Sequence, residues 1–363
     1  MAEIPCASLL RPELGELTAY LPELAEYPVR LDANEAPALL SAGAREQLER
    51  AVHDTRWERY PDPTASALRA SLAARSGVSP QEVLAGAGSD ELITLLLTAL
   101  SRPRDRTDAA VVLTTTPTFV MYRLAARARG MRVLEVPLDA NWDLSLDSMR
   151  RGAELAPPNL VFIASPNNPT GNLMARDRLE ALITSLPESL VVIDEAYIDY
   201  APGNQLELYQ RFENVAILRT LSKIGFASLR VGWLIARAPL VAEIDKLRPP
   251  YNLCSLSQRL GALVTSELAG ELAALCELVK SERTRVTAEL EKLPGFRVTP
   301  SQANFLWLRT PGPAGELFAA LAARGVLVRS FHQRGGRLAE QLRVTIGAPT
   351  ENERLLDCLR ELT

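Results

Sequence analysis

Six short apolar runs, rich in β-branched residues and set among helix-like stretches, constrain this chain more than any other feature. They lie at 109–116 (AAVVLTTT), 131–138 (MRVLEVPL), 159–165 (NLVFIAS), 189–197 (SLVVIDEAY), 214–220 (NVAILRT) and 230–236 (RVGWLIA). The runs are strand-length and lack the polar alternation of a strand with one wet face, so they read as strands buried on both sides. Helical stretches such as 118–130 and 175–187 supply the covering layers. Residues 45–248 are therefore expected to form a large, doubly wound, mostly parallel α/β domain. After the break RPPYNL (248–253) the pattern changes. Residues 255–292 read as one long helix or two, followed by strand-like FRVTP, NFLWLR, VLVRSF and QLRVTIGA, a helix over 313–325 and a last helix from Pro349. Residues 249–363 are expected to form a smaller α+β domain, with residues 1–44 as an N-terminal arm joining it.

Composition removes several function classes. A net charge of −4 spread over 363 residues gives no single-signed surface for a nucleic-acid backbone or an anionic membrane. Small molecules are the expected partners. Cys6, Cys254, Cys276 and Cys358 form no CxxC pair or paired spacing, and no apolar run reaches the roughly 18 residues of a membrane span. The first residues lack a basic start followed by an apolar stretch, so a reducing cytoplasm is expected. With His53 and His332 as the only imidazoles, a multi-histidine metal site cannot be built.

Lysine is scarce: four lysines stand against 36 arginines. Positive surface charge is supplied by arginine, which stays protonated and cannot form an imine, whereas an amine of lowered pKa can. Lys246, Lys280 and Lys292 have charged, helix-like surroundings. Lys223, in RTLSKIGFASLRVGW, lies among small and apolar residues.

Open parallel sheets bind ligands at the carboxyl ends of their strands. Three successive strand ends carry SPNNPTG (165–171), DEAY (194–197) and TLSK (220–223). Taken singly, the first is also a good turn and Asp194 a good helix cap. Together they supply what a pyridoxal phosphate site needs: an amine, a carboxylate for the pyridinium nitrogen, and polar groups for the ring oxygen. GAGSDE (86–91) adds glycines at the start of an apolar helix, where amide groups favour a phosphate. It serves equally as a plain helix cap. A dinucleotide fingerprint fails, because Glu91 stands where GxGxxG requires glycine.

The ordered set SPNNPTG, DEAY and SK with LRVG resembles the fold-type I pyridoxal phosphate aminotransferases over essentially the whole chain. Within them, LTAYLPE with LDANEAP (31–37), RYPDP (59–63), GAGSDELI, PTFVMY (117–122), RPPYNL and LRVTIG resemble the histidinol-phosphate aminotransferase family. The resemblance implies that Lys223 binds the cofactor covalently and shuttles the proton. It implies that Asp194 pairs with the ring nitrogen, while Asn168 and Tyr197 bond the ring oxygen. Ser89, Asp90, Thr220, Ser222 and Arg230 would hold the cofactor phosphate, and Phe119 would stack on the ring. Tyr60 would reach the same phosphate from a second subunit, making a homodimer with shared active sites. Lys223 to Arg230 spans seven residues where many aminotransferases have eight.

For substrates the resemblance implies Arg343 for the α-carboxylate of glutamate, with Asn34, Tyr20 and Arg329 as helpers, and Tyr251 and Asn252 approaching from the partner. The implied reaction interconverts L-histidinol phosphate plus 2-oxoglutarate and imidazole-acetol phosphate plus L-glutamate, in histidine biosynthesis. An aromatic amino acid aminotransferase and a threonine-phosphate decarboxylase share the scaffold, and a nucleotide-binding module is the non-enzymatic alternative. His53 on a surface helix and His332 in a loop are needed by none of these.

Overall fold

The computed structural model describes residues 7–19, 23, 25–104 and 107–362; Cys6 and Tyr20 lie outside the described residues. After a two-residue strand, β1 (Val29–Arg30), come the strands of the main sheet. These are β2 (Val83–Ala87), β3 (Val111–Thr116), β4 (Arg132–Pro137), β5 (Leu160–Ala164), β6 (Leu190–Asp194), β7 (Val215–Thr220) and β8 (Val231–Ile235), in the spatial order β2-β8-β7-β6-β5-β3-β4. Strands β3 to β7 are mutually parallel. β8 is antiparallel to both β7 and β2, so β2 runs in the same sense as β7.

All six apolar runs are strands of this sheet, but β4 is its edge strand and is mostly exposed or half-buried rather than buried on both sides; in the other five the lack of alternation has a visible cause. Successive residues enter opposite cores: Leu113, Val161, Ile193 and Ile217 join one, Val112, Phe162, Val192 and Leu218 the other. A strand covered on both faces has no wet side to mark with polar residues. The seventh strand, β2, has the sequence VLAGA and lies next to the antiparallel β8. Helices α1 (Ala42–His53), α2 (Ser66–Ser76), α3 (Ser89–Ala99) and α4 (Met121–Arg127) belong to this half of the chain. Ser41 caps α1, its Oγ accepting from Ala44 N at 3.1 Å.

Residues 255–292 form two helices, Ser255–Thr265 and Ala269–Glu291. Beyond them lie β9 (Arg297–Thr299), β10 (Phe305–Arg309), β11 (Val326–Leu327), β12 (Arg329–Ser330) and β13 (Gln341–Thr345). The antiparallel sheet has the order β12-β13-β10-β9, while β11 pairs in parallel with β1. VLVRSF is therefore two strands in two different sheets, parted at the buried Val328. The β1–β11 pairing continues where Leu31 N donates to Leu327 O (2.7 Å) and Thr345 N donates to Leu31 O (2.9 Å). These bonds bring the segment Asp32–Asn34 beside the ends of the main-sheet strands.

Lys246, Lys280 and Lys292 each bond a glutamate three residues earlier, at 2.6, 2.8 and 2.6 Å. Cys254, Cys276 and Cys358 are free. Among the described residues no helix is long and apolar enough to cross a membrane, and no cluster of three or more His, Cys, Asp or Glu is arranged to hold a metal ion.

Candidate active site

The parallel strands end on one rim. There β2 delivers Gly88 and Ser89, β3 Phe119, β5 Asn168, β6 Asp194 and Tyr197, and β7 Thr220 to Lys223, while Arg230 stands just before β8. A cavity of about 210 Å³ opens on this rim, and these residues line it, apart from Gly88 and Leu221, together with Asn34, Asp90, Arg329 and Arg343. The strand-end loops, the β2–α3 turn and the arm thus converge on one place. Tyr60, Tyr251 and Asn252 of the same chain do not line it.

Lys223 Nζ donates to Ala33 O at 3.3 Å. Its backbone is held by Tyr200, whose hydroxyl donates to Lys223 O at 2.6 Å. Burial pushes the amine down to about 8, and the Arg343 guanidinium adds to the shift. A large neutral fraction at mildly alkaline pH makes it a usable nucleophile.

Asp194 ends β6 in register with Ala164 of β5 and Leu218 of β7. Its Oδ1 accepts from Ala196 N (2.9 Å) and its Oδ2 from the Tyr122 hydroxyl (2.6 Å). Burial pushes this carboxyl up to about 6, although both hydrogen bonds pull it down. The next residue serves the framework instead, because Glu195 forms a buried pair with Arg219 at 2.7 Å. Tyr122 is a site residue that the motifs did not single out. It sits in PTFVMY, in α4, stacked on Phe162 (4.9 Å) with its edge to Phe119 (5.6 Å). Its only sequence signal is its place in that motif, since an aromatic residue in a helix reads as core.

The β2–α3 turn is tight because glycine permits it. Gly88 has φ +81°, and a Cβ there would lie 2.6 Å from Arg230 Nη2. A Cβ on Gly232 would lie 2.5 Å from Gly88 C and Ser89 N. Around this turn, Thr220 Oγ1 and Ser222 Oγ lie 3.0 Å apart, and Arg230 Nη1 donates to Ser222 Oγ at 3.2 Å. Asp90 Oδ1 is buried with no hydrogen-bond partner, its carboxyl pushed up by burial, and Asp90 Oδ2 is 3.8 Å from Arg230.

On the opposite wall, Arg343 Nη1 donates to Asn168 Oδ1 (2.6 Å), and Nη2 donates to Asp32 O. Asn34, at φ +57°, donates through Nδ2 to the Tyr197 hydroxyl (3.0 Å) and is fixed by Thr345 and Asn304. Outside the cavity, Tyr60 is 81% exposed and stacks on Tyr251 at 4.6 Å. Asn252 Nδ2 donates to Glu91 Oε2 (2.7 Å) behind the β2–α3 turn.

The chain belongs to the family of class I and II aminotransferases, whose model matches residues 27–359. It is 38% identical over 354 residues to histidinol-phosphate aminotransferase 1 of Ralstonia nicotianae, covering 96% of this chain and 93% of that one. It is also 38% identical to the Aquifex aeolicus histidinol-phosphate aminotransferase, covering 96% of each. These similarities place it among the histidinol-phosphate aminotransferases. The fold agrees with the structure of the Sinorhizobium meliloti enzyme in complex with pyridoxal-5'-phosphate, at a TM-score of 0.85 and 22% identity over 98% of this chain and 99% of that one.

The cavity suits that cofactor. The glycine turn too tight for a Cβ, at the start of α3, with the Thr220 and Ser222 hydroxyls and the Arg230 guanidinium beside it, forms a pocket for an anion. Asp194 is a buried anion without an ion-pair partner among the described residues, and Lys223 is an amine of lowered pKa in the same cavity.

Proposed function

We propose that this chain is a pyridoxal-phosphate-dependent transaminase that interconverts L-histidinol phosphate plus 2-oxoglutarate and imidazole-acetol phosphate plus L-glutamate, in histidine biosynthesis. The observation that carries this reading is the meeting, in one cavity, of the Lys223 amine, the buried Asp194 carboxylate and the glycine turn at Ser89. When bound, the cofactor supplies an electron-withdrawing ring that stabilises negative charge on the substrate carbon bearing the amine.

The chain's own residues do the rest. Lys223 Nζ is the amine that would hold the cofactor, and it would move the proton to and from that carbon. Asp194 holds a proton on the ring nitrogen by its charge, and Tyr122 fixes the orientation of the carboxylate. Asn168 and Tyr197 bond the ring oxygen, with Asn34 orienting the Tyr197 hydroxyl. The amides at Ser89 and Asp90, the hydroxyls of Thr220 and Ser222, and Arg230 bind the phosphate, and Phe119 flanks the ring. Arg343 exchanges its contacts with Asn168 and Asp32 for the carboxylate of glutamate, which its planar fork suits.

Tyr60 reaches no part of its own cleft, and its exposed stack with Tyr251 supports a homodimer in which each subunit lends these residues to the other's site. Domain limits near residues 44 and 248, and a cytoplasmic location, complete the proposal. The test compares kcat/KM for histidinol phosphate, phenylalanine and tyrosine with 2-oxoglutarate as acceptor. Histidinol phosphate should be preferred. Preference for the aromatic amino acids, or release of carbon dioxide from threonine phosphate, would replace this reading.

A further inference from the structure

The SPNNPTG loop after β5 carries two adjacent asparagines with different surroundings. Asn168 lines the cavity. Asn167 does not line it and is fully buried behind the rim, with 0% of its surface exposed.

A polar side chain taken wholly out of water is costly unless its hydrogen bonds are made. Asn167 makes two of them to the loop that follows β3. Its Oδ1 accepts from Thr118 Oγ1 at 2.8 Å, and its Nδ2 donates to Pro117 O at 3.0 Å and to Thr170 Oγ1 at 2.8 Å. Both amide hydrogens are thereby used. Pro117 O can only accept, so it fixes which end of the amide is the nitrogen. The backbone of the same residue closes its own loop, Asn167 N donating to Asn172 O (2.9 Å) and Gly171 N donating to Asn167 O (2.7 Å).

The geometric consequence lies one residue further along each loop. Pro117 and Thr118 lead directly into Phe119, which would flank the cofactor ring, and Asn167 leads directly into Asn168, which would meet the ring oxygen. One buried side chain therefore ties the support for the face of the ring to the support for its edge. The other anchors of the loop run elsewhere. Ser165 Oγ accepts from Met174 N (3.0 Å), while Gln302, between β9 and β10, accepts from Leu173 N through Oε1 (2.9 Å) and donates through its own N to Gly171 O (2.7 Å). A displacement of about 1 Å between groups that align a reacting centre can cost on the order of 100-fold in rate, so a link of this kind bears on the chemistry without touching it.

We propose that Asn167 is a positioning residue that sets the distance and tilt between Phe119 and Asn168, so that the cofactor ring is held by its face and its oxygen together. The inference rests on pyridoxal phosphate occupying the cavity, and is independent of which amino substrate is used.

The experiment compares wild type with Asn167→Ala, Thr118→Val and the double variant. Thr118→Val keeps the shape of the side chain and removes only the bond to Asn167 Oδ1. Cofactor affinity is titrated on the cofactor-free proteins, and the loaded proteins are followed by the pH dependence and the circular dichroism of the cofactor's visible band. Asn167→Ala should bind pyridoxal phosphate roughly 10-fold more weakly and Thr118→Val about 3-fold, in keeping with three buried hydrogen bonds lost against one. The midpoint of the pH-dependent absorbance should rise by about half a unit or more in Asn167→Ala, because a displaced Asn168 no longer stabilises negative charge on the ring oxygen. The dichroism should weaken as the tilt of the ring is freed. The double variant should show the Asn167→Ala effect and little more, since Thr118 acts through Asn167.

A lower melting temperature with unchanged affinity, midpoint and dichroism would overturn the proposal and leave Asn167 a part of the framework. Effects of the two substitutions that simply add would overturn it as well. If Asn167→Ala yields no folded protein, Thr118→Val decides: a raised midpoint supports the proposal and an unchanged one overturns it. A wild type unable to capture the cofactor would overturn both this inference and the cofactor's place in the cavity, whereas normal capture by wild type with unaltered variants overturns the inference alone.

Discussion

Replacing Asp194 by asparagine should make the cofactor-free protein more stable while disabling it. Asparagine keeps the shape: its oxygen still accepts from Ala196 N, and its amide can donate to the Tyr122 hydroxyl. What it removes is a charge taken out of water. Burial carries this carboxyl from 3.8 to about 6, so ionising it in the folded state costs about 3 kcal/mol more than in the unfolded chain. The sign follows from the raised pKa. The folded protein holds the proton more tightly than the unfolded chain, so Asp194 contributes stability that is full below pH 3.8 and lost as pH rises through about 6. Urea denaturation of the two cofactor-free proteins should therefore show the variant ahead by up to about 3 kcal/mol at pH 7, with a smaller lead at pH 5. Loading pyridoxal phosphate should reverse the order of benefit, because only the wild-type carboxylate can pair with a protonated ring nitrogen. Turnover of the variant should fall by roughly 100-fold or more. A cofactor-free variant less stable than wild type at pH 7, or a lead independent of pH, would refute the account of Asp194 as an uncompensated buried anion.

Lys223→Ala should fold and lose both the cofactor's visible absorbance and nearly all turnover; full transamination by the variant would remove the lysine from its role. In the cofactor-free wild type, the rate of pyridoxal phosphate capture should rise with pH through about 8, the value to which burial lowers this amine, and stopped-flow absorbance would show a rise nearer 10.5 if the shift is absent. Gly232→Ala should weaken cofactor binding at least roughly 10-fold and cost about 1 to 3 kcal/mol of stability, since its Cβ would sit 2.5 Å from the backbone of Gly88; wild-type affinity by titration would show that the turn can yield. Mixing Lys223→Ala with Tyr60→Ala should restore activity through hybrid dimers carrying one complete site; no recovery after verified subunit exchange would mean that each site is built from one chain.

The strands most legible in the sequence were those buried on both faces, where β-branched runs have no competing pattern. β2 escaped because VLAGA is mostly glycine and alanine, which carry little strand preference, and because a glycine-rich stretch reads first as the turn that follows. That β8 runs antiparallel left no mark either, since strand direction depends on how the chain returns rather than on which residues it contains. VLVRSF read as one strand because a change of sheet costs no residue: Val328 is buried whichever sheet its neighbours join. Lys223 was legible through the scarcity of lysine, and Asp194 through its place at the end of an apolar run. Tyr122 was not, because a tyrosine in a helix looks ordinary until the fold brings it to Asp194.

The central claim is tested most directly by incubating the purified, cofactor-loaded protein with L-histidinol phosphate and 2-oxoglutarate and measuring glutamate. Glutamate and imidazole-acetol phosphate should form in equal amounts, dependent on Lys223 and without release of carbon dioxide. Absence of glutamate from a protein shown to carry its cofactor would contradict the account.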